Sequence, residues 1–424
     1  MLRTFPPARN ARRKSSRRLA LALLIGLGFV GTTIAETPAM AQRSNGKSQN
    51  SKAFAAAYQP VADVANAEGA DYASAKAQLP GVIAAIETPN DRFLAGSLSL
   101  LLGNKLNDAT LQRQGLELML ASGQADPAQI GQLQFFVGSL AYNAGDYAAA
   151  RTALQAAVDA GHTQDNPQGL IAESYFKEGQ AVQGLDYLKG LIEAQKAAGQ
   201  AVPDAWYLRG LKVAYDNRLN DQAADWSALL VQHNPTEKSW LQALQVVNAL
   251  VAGNAQASLD VLRLMALTGS LSQRSEFETY VTTLDPRVLP TEVSKVLASG
   301  VQAGAFTSSD PFYTDTKRIV DSRTSEEAKL AADYAAEAAS SADGRAAFNA
   351  GDVYLSLGEH AKAEEMFKLA LEKGSVDRDQ VLTRIGIAQV HQSKMAEAKS
   401  SFAQISGDRK PVAKMWTAYI ESRA

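Results

Sequence analysis

A short glycine turn recurs along this chain and constrains its architecture more than any other feature. The run Gly145-Asp146-Tyr147-Ala148 returns in altered form at Gly179, Gly253 and Gly358, at multiples of about 34 to 35 residues. A period of this size indicates one supersecondary unit that is copied along the chain and stacked on itself. Because such arrays build extended binding surfaces, the repeat favours a binding function over a single reactive pocket.

The residues around this turn have a helical pattern, with apolar side chains three and four positions apart. In the clearest unit, residues 133–160, a first helix ends at the Gly145 turn and a second helix carries Ala150 and Leu154 on one face. Gly138 and Ala150 are small where the two helices would cross closely. The sequence therefore predicts an all-α fold built from helical hairpins.

This unit resembles the tetratricopeptide repeat, a helical hairpin of about 34 residues with a small residue in its first helix and a glycine turn. The segments that we assign on this basis are degenerate hairpins at 53–130, four repeats at 131–268, an irregular insertion with a divergent hairpin at 269–343, and two repeats with an end helix at 344–424. We interpret residues 305–324 as the loop of that insertion. The resemblance implies a right-handed α-α superhelix whose concave groove is lined by the first helix of each hairpin.

If this register holds, aromatic, amide and charged side chains point into the groove. The candidate groove residues are Phe135, Tyr142, Asn143, Glu173, Phe176, Lys177, Lys212, Tyr215, Asp216 and Trp240. Aromatic residues flanked by donors and acceptors suit a partner protein or an extended peptide. Each of these aromatics could instead pack between adjacent helices, so the pattern alone leaves core and contact roles open.

The N-terminus has the three parts of an export signal. A basic segment at 12–18 precedes an apolar run at 19–30, and Ala39-Met40-Ala41 supplies small residues before Gln42. We predict a signal peptide over 1–41, cleaved after Ala41, and a polar spacer over 42–52. The expected location is the periplasm or cell envelope. If the signal were retained, it would be a membrane anchor.

Charge and cysteine content limit the classes of partner and of chemistry that are open to this chain. Residues 1–41 hold seven of the 42 basic and one of the 44 acidic residues, so the rest of the chain has a net charge of about −8. This sign disfavours nucleic acid, and contact with a membrane is expected only through an uncleaved signal. The chain has no cysteine, which excludes thiolate chemistry and disulfides. Its four histidines show no metal-ligand spacing, so no metal or cofactor is expected.

Catalytic motifs are weak in this sequence. It lacks a nucleophile elbow, a phosphate-binding loop and a zinc-protease motif. The pair Glu173-Ser174 resembles part of the signature of lytic transglycosylases, although the further Gly-Leu-Met-Gln motif of that family is missing. His360 is interpreted as a solvated turn residue. The sequence thus favours a non-catalytic protein-binding scaffold of the cell envelope, with a cell-wall lytic enzyme or its helical accessory as the alternative.

Overall fold

The computed structural model describes residues 50–423, and all regular secondary structure in that range is helical. The predicted all-α fold of stacked helical hairpins is confirmed. The predicted signal peptide, its cleavage site and most of the spacer lie outside the described residues. Within 50–423, none of the helices has both the length and the apolar character needed to cross a membrane.

Two compact units divide the chain, and unit 1 comprises the described residues up to Gly179. Its helices are α1 (Lys52–Asn66), α2 (Tyr72–Ala84), α3 (Pro89–Leu106), α4 (Ala109–Ala121), α5 (Pro127–Ala144), α6 (Tyr147–Asp159) and α7 (Pro167–Lys177). Consecutive helices pack against each other, and in addition α1 contacts α3 and α5 contacts α7. The first helices of these neighbouring hairpins therefore lie side by side.

Unit 2 runs from Gln180 onward, so the boundary falls inside the array assigned to 131–268. Its helices are α8 (Ala181–Ala197), α9 (Asp204–Asp216), α10 (Asn220–His233), α11 (Glu237–Leu250), α12 (Ala255–Leu267), α13 (Arg274–Leu284), α14 (Pro290–Gln302), α15 (Pro311–Ser340), α16 (Arg345–Leu357), α17 (His360–Lys373), α18 (Arg378–His391), α19 (Met395–Ala403) and α20 (Lys410–Glu421). A short 3-10 turn at Gly407–Arg409 precedes α20.

The C-terminal helix of unit 2 packs against helices from the first part of the same unit. Helix α20 contacts α10, α11 and α12. The indole Nε1 of Trp416 donates to the Asp260 carbonyl at 3.1 Å, across 156 positions of sequence. Near this contact, every residue of α18 from Val381 to Val390 is buried. Unit 2 thus joins its C-terminal repeats to helices α10–α12 through one shared core.

A glycine in the first helix sets the distance between the two helices in four hairpins. The pairs are Gly138 with Leu154, Gly210 with Trp226, Gly351 with Phe367 and Gly386 with Phe402. The large partner stands sixteen positions after the glycine in every pair. A Cβ added at Gly210 would lie 2.3 Å from the Trp226 ring, which is far inside van der Waals contact. The glycine thus makes room for the large side chain that fills the hairpin interior.

Most turns between paired helices contain a left-handed residue, which need not be glycine, whereas the turn before α12 contains none and Gly253 does not have a positive φ. Gly145 and Gly358 have φ of 82°. Arg218 and Ser393 take the same place in their hairpins with φ of 57° and 62°. Because a side chain is disfavoured but tolerated in this region, a search for glycine turns finds some repeats and passes over others.

Helices occupy most of the insertion assigned to 269–343; residues 305–310 lie outside the helices, in agreement with the predicted loop, but residues 311–324 are helical, which corrects the rest of that loop. Helix α15 begins at Pro311 and continues for 30 residues. Asp310 caps the helix, because its carboxylate accepts a hydrogen bond of 2.9 Å from the Phe312 amide. Proline suits the first helical position because an N–H group there would have no partner within the helix. The helix packs against α14 and α16. We interpreted Asp310-Pro311 as loop chemistry, whereas the pair starts a helix.

The glycine pairs predict a pronounced contrast between two Gly→Ala substitutions in unit 2. Gly210→Ala should reduce the free energy of unfolding by about 2 kcal/mol or more, because its methyl group overlaps Trp226. Gly190→Ala is the matched control, since Gly190 lies in α8 with nothing within 4 Å of the added Cβ. It should gain roughly 0.5–1 kcal/mol of stability from helix propensity. Urea denaturation checks both, and equal effects would contradict the packing role.

Candidate functional site

In unit 1 the predicted groove positions divide into one core residue and several surface residues. Phe135 is 4% exposed and packs against His162 with the rings tilted by 33° and their centroids 5.0 Å apart. This side chain belongs to the helix packing, so its assignment to a groove is corrected. Tyr142 is half-buried and meets Tyr147 edge to face at 5.6 Å, while Asn143 beside it is exposed.

The next hairpin of unit 1 presents the same pattern. Phe176 is half-buried and Lys177 is exposed at the end of α7. Tyr142 and Phe176 each stand three positions before a left-handed turn glycine, Gly145 and Gly179. Because α5 and α7 contact each other, an aromatic residue followed by a polar one recurs at the same register of two neighbouring first helices.

In unit 2 the predicted positions divide in a similar way. Lys212 and Asp216 are exposed and form a salt bridge of 2.8 Å along α9, next to a half-buried Tyr215. Trp240 is 4% exposed and packs against Tyr419 of α20, with ring centroids 6.1 Å apart. The groove assignment of Trp240 is therefore also corrected, because the C-terminal helix covers this side chain.

The Glu173-Ser174 pair does not present a hydroxyl for chemistry. Ser174 is fully buried, and its Oγ donates to the Ile171 carbonyl at 2.6 Å within α7. Glu173 is half-buried on the same helix. A catalytic acid of the lytic type needs a cleft that receives the substrate, and the geometry of this pair provides no support for one.

A buried cluster of ions joins the parts of unit 2. Asp260 of α12 is fully buried and accepts hydrogen bonds from Arg263 at 3.1 Å, Arg384 at 2.7 Å and Arg409 at 2.8 Å. Burial alone would raise the pKa of Asp260, but the charges of Arg384, Arg409 and Arg263 outweigh it and hold the pKa below its usual value. The carboxylate therefore remains ionised inside the core. Helix α12, helix α18 and the turn before α20 meet at this one group.

Two further carboxylates balance the charge of the cluster. Glu292 of α14 receives Nε and Nη2 of Arg263, both at 2.8 Å, and the hydroxyl of Tyr280 at 2.9 Å. Asp352 of α16 pairs with Arg384. Three guanidiniums thus face three carboxylates. These charge-assisted hydrogen bonds offset part of the cost of burying the ions, although Nε and Nη2 of Arg409 are buried without a hydrogen-bond partner within residues 50–423.

A pocket of about 380 Å³ opens beside this cluster, entirely within unit 2. One wall is polar and is formed by Arg263, Tyr280, Glu292, Lys295, His360 and His391. The apolar part of the lining, termed the apolar wall, includes Leu267, Leu271, Val296, Leu355 and Ile387. The volume lies within the range of about 300–1,000 Å³ that is typical of small-molecule sites.

Two histidines stack at this pocket. The rings of His360 and His391 are 4.5 Å apart with an interplanar angle of 12°. Removal from water, followed by the charges of His360 and Arg263, lowers the pKa of His391 to about 4. Removal from water and Lys295 also lower the pKa of His360. Both imidazoles are therefore neutral at pH 7. Among residues 50–423 there is no cluster of three side chains suited to a metal ion.

Sequence reasoning missed this pocket. His360, interpreted as a solvated turn residue, is half-buried, and its Nδ1 lies out of reach of solvent. The two histidines come from the start of α17 and the end of α18, 31 positions apart, where no local spacing motif links them. Only the antiparallel packing of consecutive helices brings these two ends together.

Comparisons with known proteins assign this chain to no family. Neither a protein-family model nor a curated protein sequence matches this chain. Among solved structures, the chain is similar to one entitled "Structure of Naa15/Naa10 bound to HypK-THB", with 13% identity and a TM-score of 0.39 over 84% of this chain. It spans 60% of the length of that protein.

Two structures of IFIT1 are also similar. A monomeric IFIT1 mutant with Gppp-AAAA shows 17% identity and a TM-score of 0.21, covering 80% of this chain and 67% of the other. The human IFIT1 dimer with m7Gppp-AAAA shows 16% identity and a TM-score of 0.22, covering 78% and 77%. At these scores the likeness concerns helical architecture, and we draw no functional argument from it.

The ion cluster predicts unequal effects for two Asp→Asn substitutions. Asp260→Asn leaves buried guanidiniums without their shared counter-charge and should lower the free energy of unfolding by about 3–5 kcal/mol. Asp321→Asn is the matched control, because Asp321 forms an exposed pair with Lys317 one turn away on α15. That change should stay within about 0.5 kcal/mol. Chemical denaturation measures both, and a small effect at Asp260 would show that the cluster contributes little.

Proposed function

We propose that this protein is an exported, non-catalytic helical-repeat scaffold that binds another protein or a peptide on the first helices of its hairpins. One observation carries the proposal. Three hairpins in succession place an aromatic residue followed directly by a polar one at the position before the turn, as Tyr142-Asn143, Phe176-Lys177 and Tyr215-Asp216. In each pair the aromatic side chain is half-buried and the polar one is exposed.

The physical case for a protein partner comes from this pairing. A half-buried aromatic side chain can bury further apolar area without much loss of conformational entropy, and such residues dominate the energetics of protein interfaces. The amide, ammonium and carboxylate beside them supply donors and acceptors that orient a bound chain. The two pairs of unit 1 stand on helices α5 and α7, which contact each other.

The cellular location belongs to the proposal and depends on residues 1–41. The basic segment, apolar run and Ala-x-Ala triplet support export and cleavage after Ala41. A scaffold of this kind would act in the periplasm or cell envelope. A mature chain with a net charge of about −8 supports a protein partner over nucleic acid.

Site-specific photo-crosslinking in the source cells tests this function. A photoreactive residue at Asn143 or Lys177 should give a discrete protein adduct, because both positions lie beside the aromatic pair. The same residue at Gln155, which is exposed on the second helix α6, is the matched control and should give none. Tyr142→Ala with Phe176→Ala should reduce the Asn143 adduct by about tenfold or more.

Three results would contradict the proposal. Equal adducts from Gln155 and Asn143 would show that the first-helix face is not selective. An adduct that survives the double alanine substitution, in protein with an unchanged melting temperature, would show that the aromatics do not bind. Intact mass spectrometry of the recovered protein gives the third test, because a chain that still begins at Met1 would contradict cleavage after Ala41.

A further inference from the structure

None of the aromatic-pair residues lines the pocket beside the ion cluster, so what this pocket binds does not depend on the proposed function. Its walls come from α12, α13, α14, α16, α17 and α18, so the packed core of unit 2 holds them in place. A site built on several packed helices is more rigid than one built on loops. The chemistry of its two walls then decides what it could bind.

The polar wall carries an uncompensated positive charge. Arg263 and Glu292 neutralise each other through two hydrogen bonds of 2.8 Å. Lys295 is exposed on α14, where its ammonium donates a long bond of 3.4 Å to the Ser356 carbonyl. Within the described part of the chain, no carboxylate forms an ion pair with it. A ligand that enters this pocket therefore meets a cation that is available for a charge-assisted hydrogen bond.

The stacked histidines line the same pocket as Lys295 and provide neutral hydrogen-bonding groups beside its ammonium. With both rings uncharged at pH 7, each has one N–H donor and one acceptor nitrogen. Nδ1 of His360 is out of reach of solvent, so it is not counted among the groups that meet a ligand. The hydroxyl of Ser299 lines the same pocket. Lys295, the imidazoles and Ser299 together could bind the two oxygens of a carboxylate.

The apolar wall restricts the rest of the ligand. Leu267, Leu271, Val296, Leu355 and Ile387 line the same cavity as the charged groups. A small inorganic anion would leave these side chains in contact with water. A small aromatic or aliphatic group attached to the anion would cover them and gain free energy from burial.

We propose that this pocket binds a small organic monocarboxylate, with the carboxylate at Lys295 and the stacked histidines and the hydrocarbon part on the apolar wall. The polar wall holds the anion by charge and hydrogen bonding. The apolar wall selects molecules that carry hydrocarbon beside it. The volume of about 380 Å³ admits a molecule of the size of benzoate or hexanoate.

Binding of an anion here must be linked to protonation of the histidines. Lys295 and Arg263 oppose a positive charge on the rings, while Glu292 favours it. A bound carboxylate adds a second negative charge, so it should raise the pKa of His391 from about 4. By linkage, affinity for the carboxylate should increase as the pH falls towards the pKa of the bound state.

The experiment is an NMR titration of the full chain with benzoate, with benzyl alcohol as the uncharged match. The four histidine side chains report directly, and His162 and His233, which do not line the pocket, are internal controls. Benzoate should shift the signals of His360 and His391 and raise the pKa of His391. Benzyl alcohol should bind about tenfold more weakly or worse, because it lacks the charge.

A lysine substitution separates this site from non-specific binding. Lys295→Gln should weaken benzoate binding by about tenfold, since it removes the ammonium and keeps a side chain of similar length. Lys329→Gln, an exposed lysine of α15 outside the pocket, is the matched control and should leave the affinity unchanged. No benzoate binding at millimolar concentration, equal binding of benzyl alcohol, or indifference to Lys295→Gln would each overturn the proposal.

Discussion

The structure of unit 2 depends on one buried carboxylate. Asp260 accepts hydrogen bonds from guanidiniums on three separate segments, and two of these, Arg384 and Arg409, lie more than 120 positions away in sequence. An unpaired ion at this depth would be strongly destabilising, so arrangements that separate Asp260 from these arginines are disfavoured. The ion cluster therefore specifies how the C-terminal repeats pack against α12.

This packing determines which aromatic residues of the repeats are accessible to a partner. An array of repeats offers its first-helix surface to a partner only where the surface is uncovered, and in unit 2 helix α20 covers Trp240. The cluster also reaches the pocket, because Arg263 binds Asp260 on one side and forms part of the polar wall on the other. One side chain thus links the stability of the core to the geometry of the candidate ligand site.

The hairpins could be predicted from sequence because their determinants are local. A glycine and a large residue sixteen positions later, as in Gly351 and Phe367, reveal a packed hairpin without any knowledge of the rest of the chain. The contacts of Asp260 could not be predicted in this way, because they join segments that no period relates, and the stack of His360 on His391 depends on how two helix ends pack, for which the sequence has no local motif. The first part of helix α15, residues 311–324, differs from the predicted loop for a local reason, since Asp310-Pro311 is compatible with both a loop and a helix start.

Helices α12 and α20 are expected to form one cooperative structure through the buried cluster. Native-state hydrogen exchange with mass spectrometry tests it directly. The account predicts that amides of Ala255–Leu267 and Lys410–Glu421 open together, with the same free energy and the same dependence on urea. It would be contradicted if Lys410–Glu421 exchanged through a separate opening of low free energy while Ala255–Leu267 stayed protected.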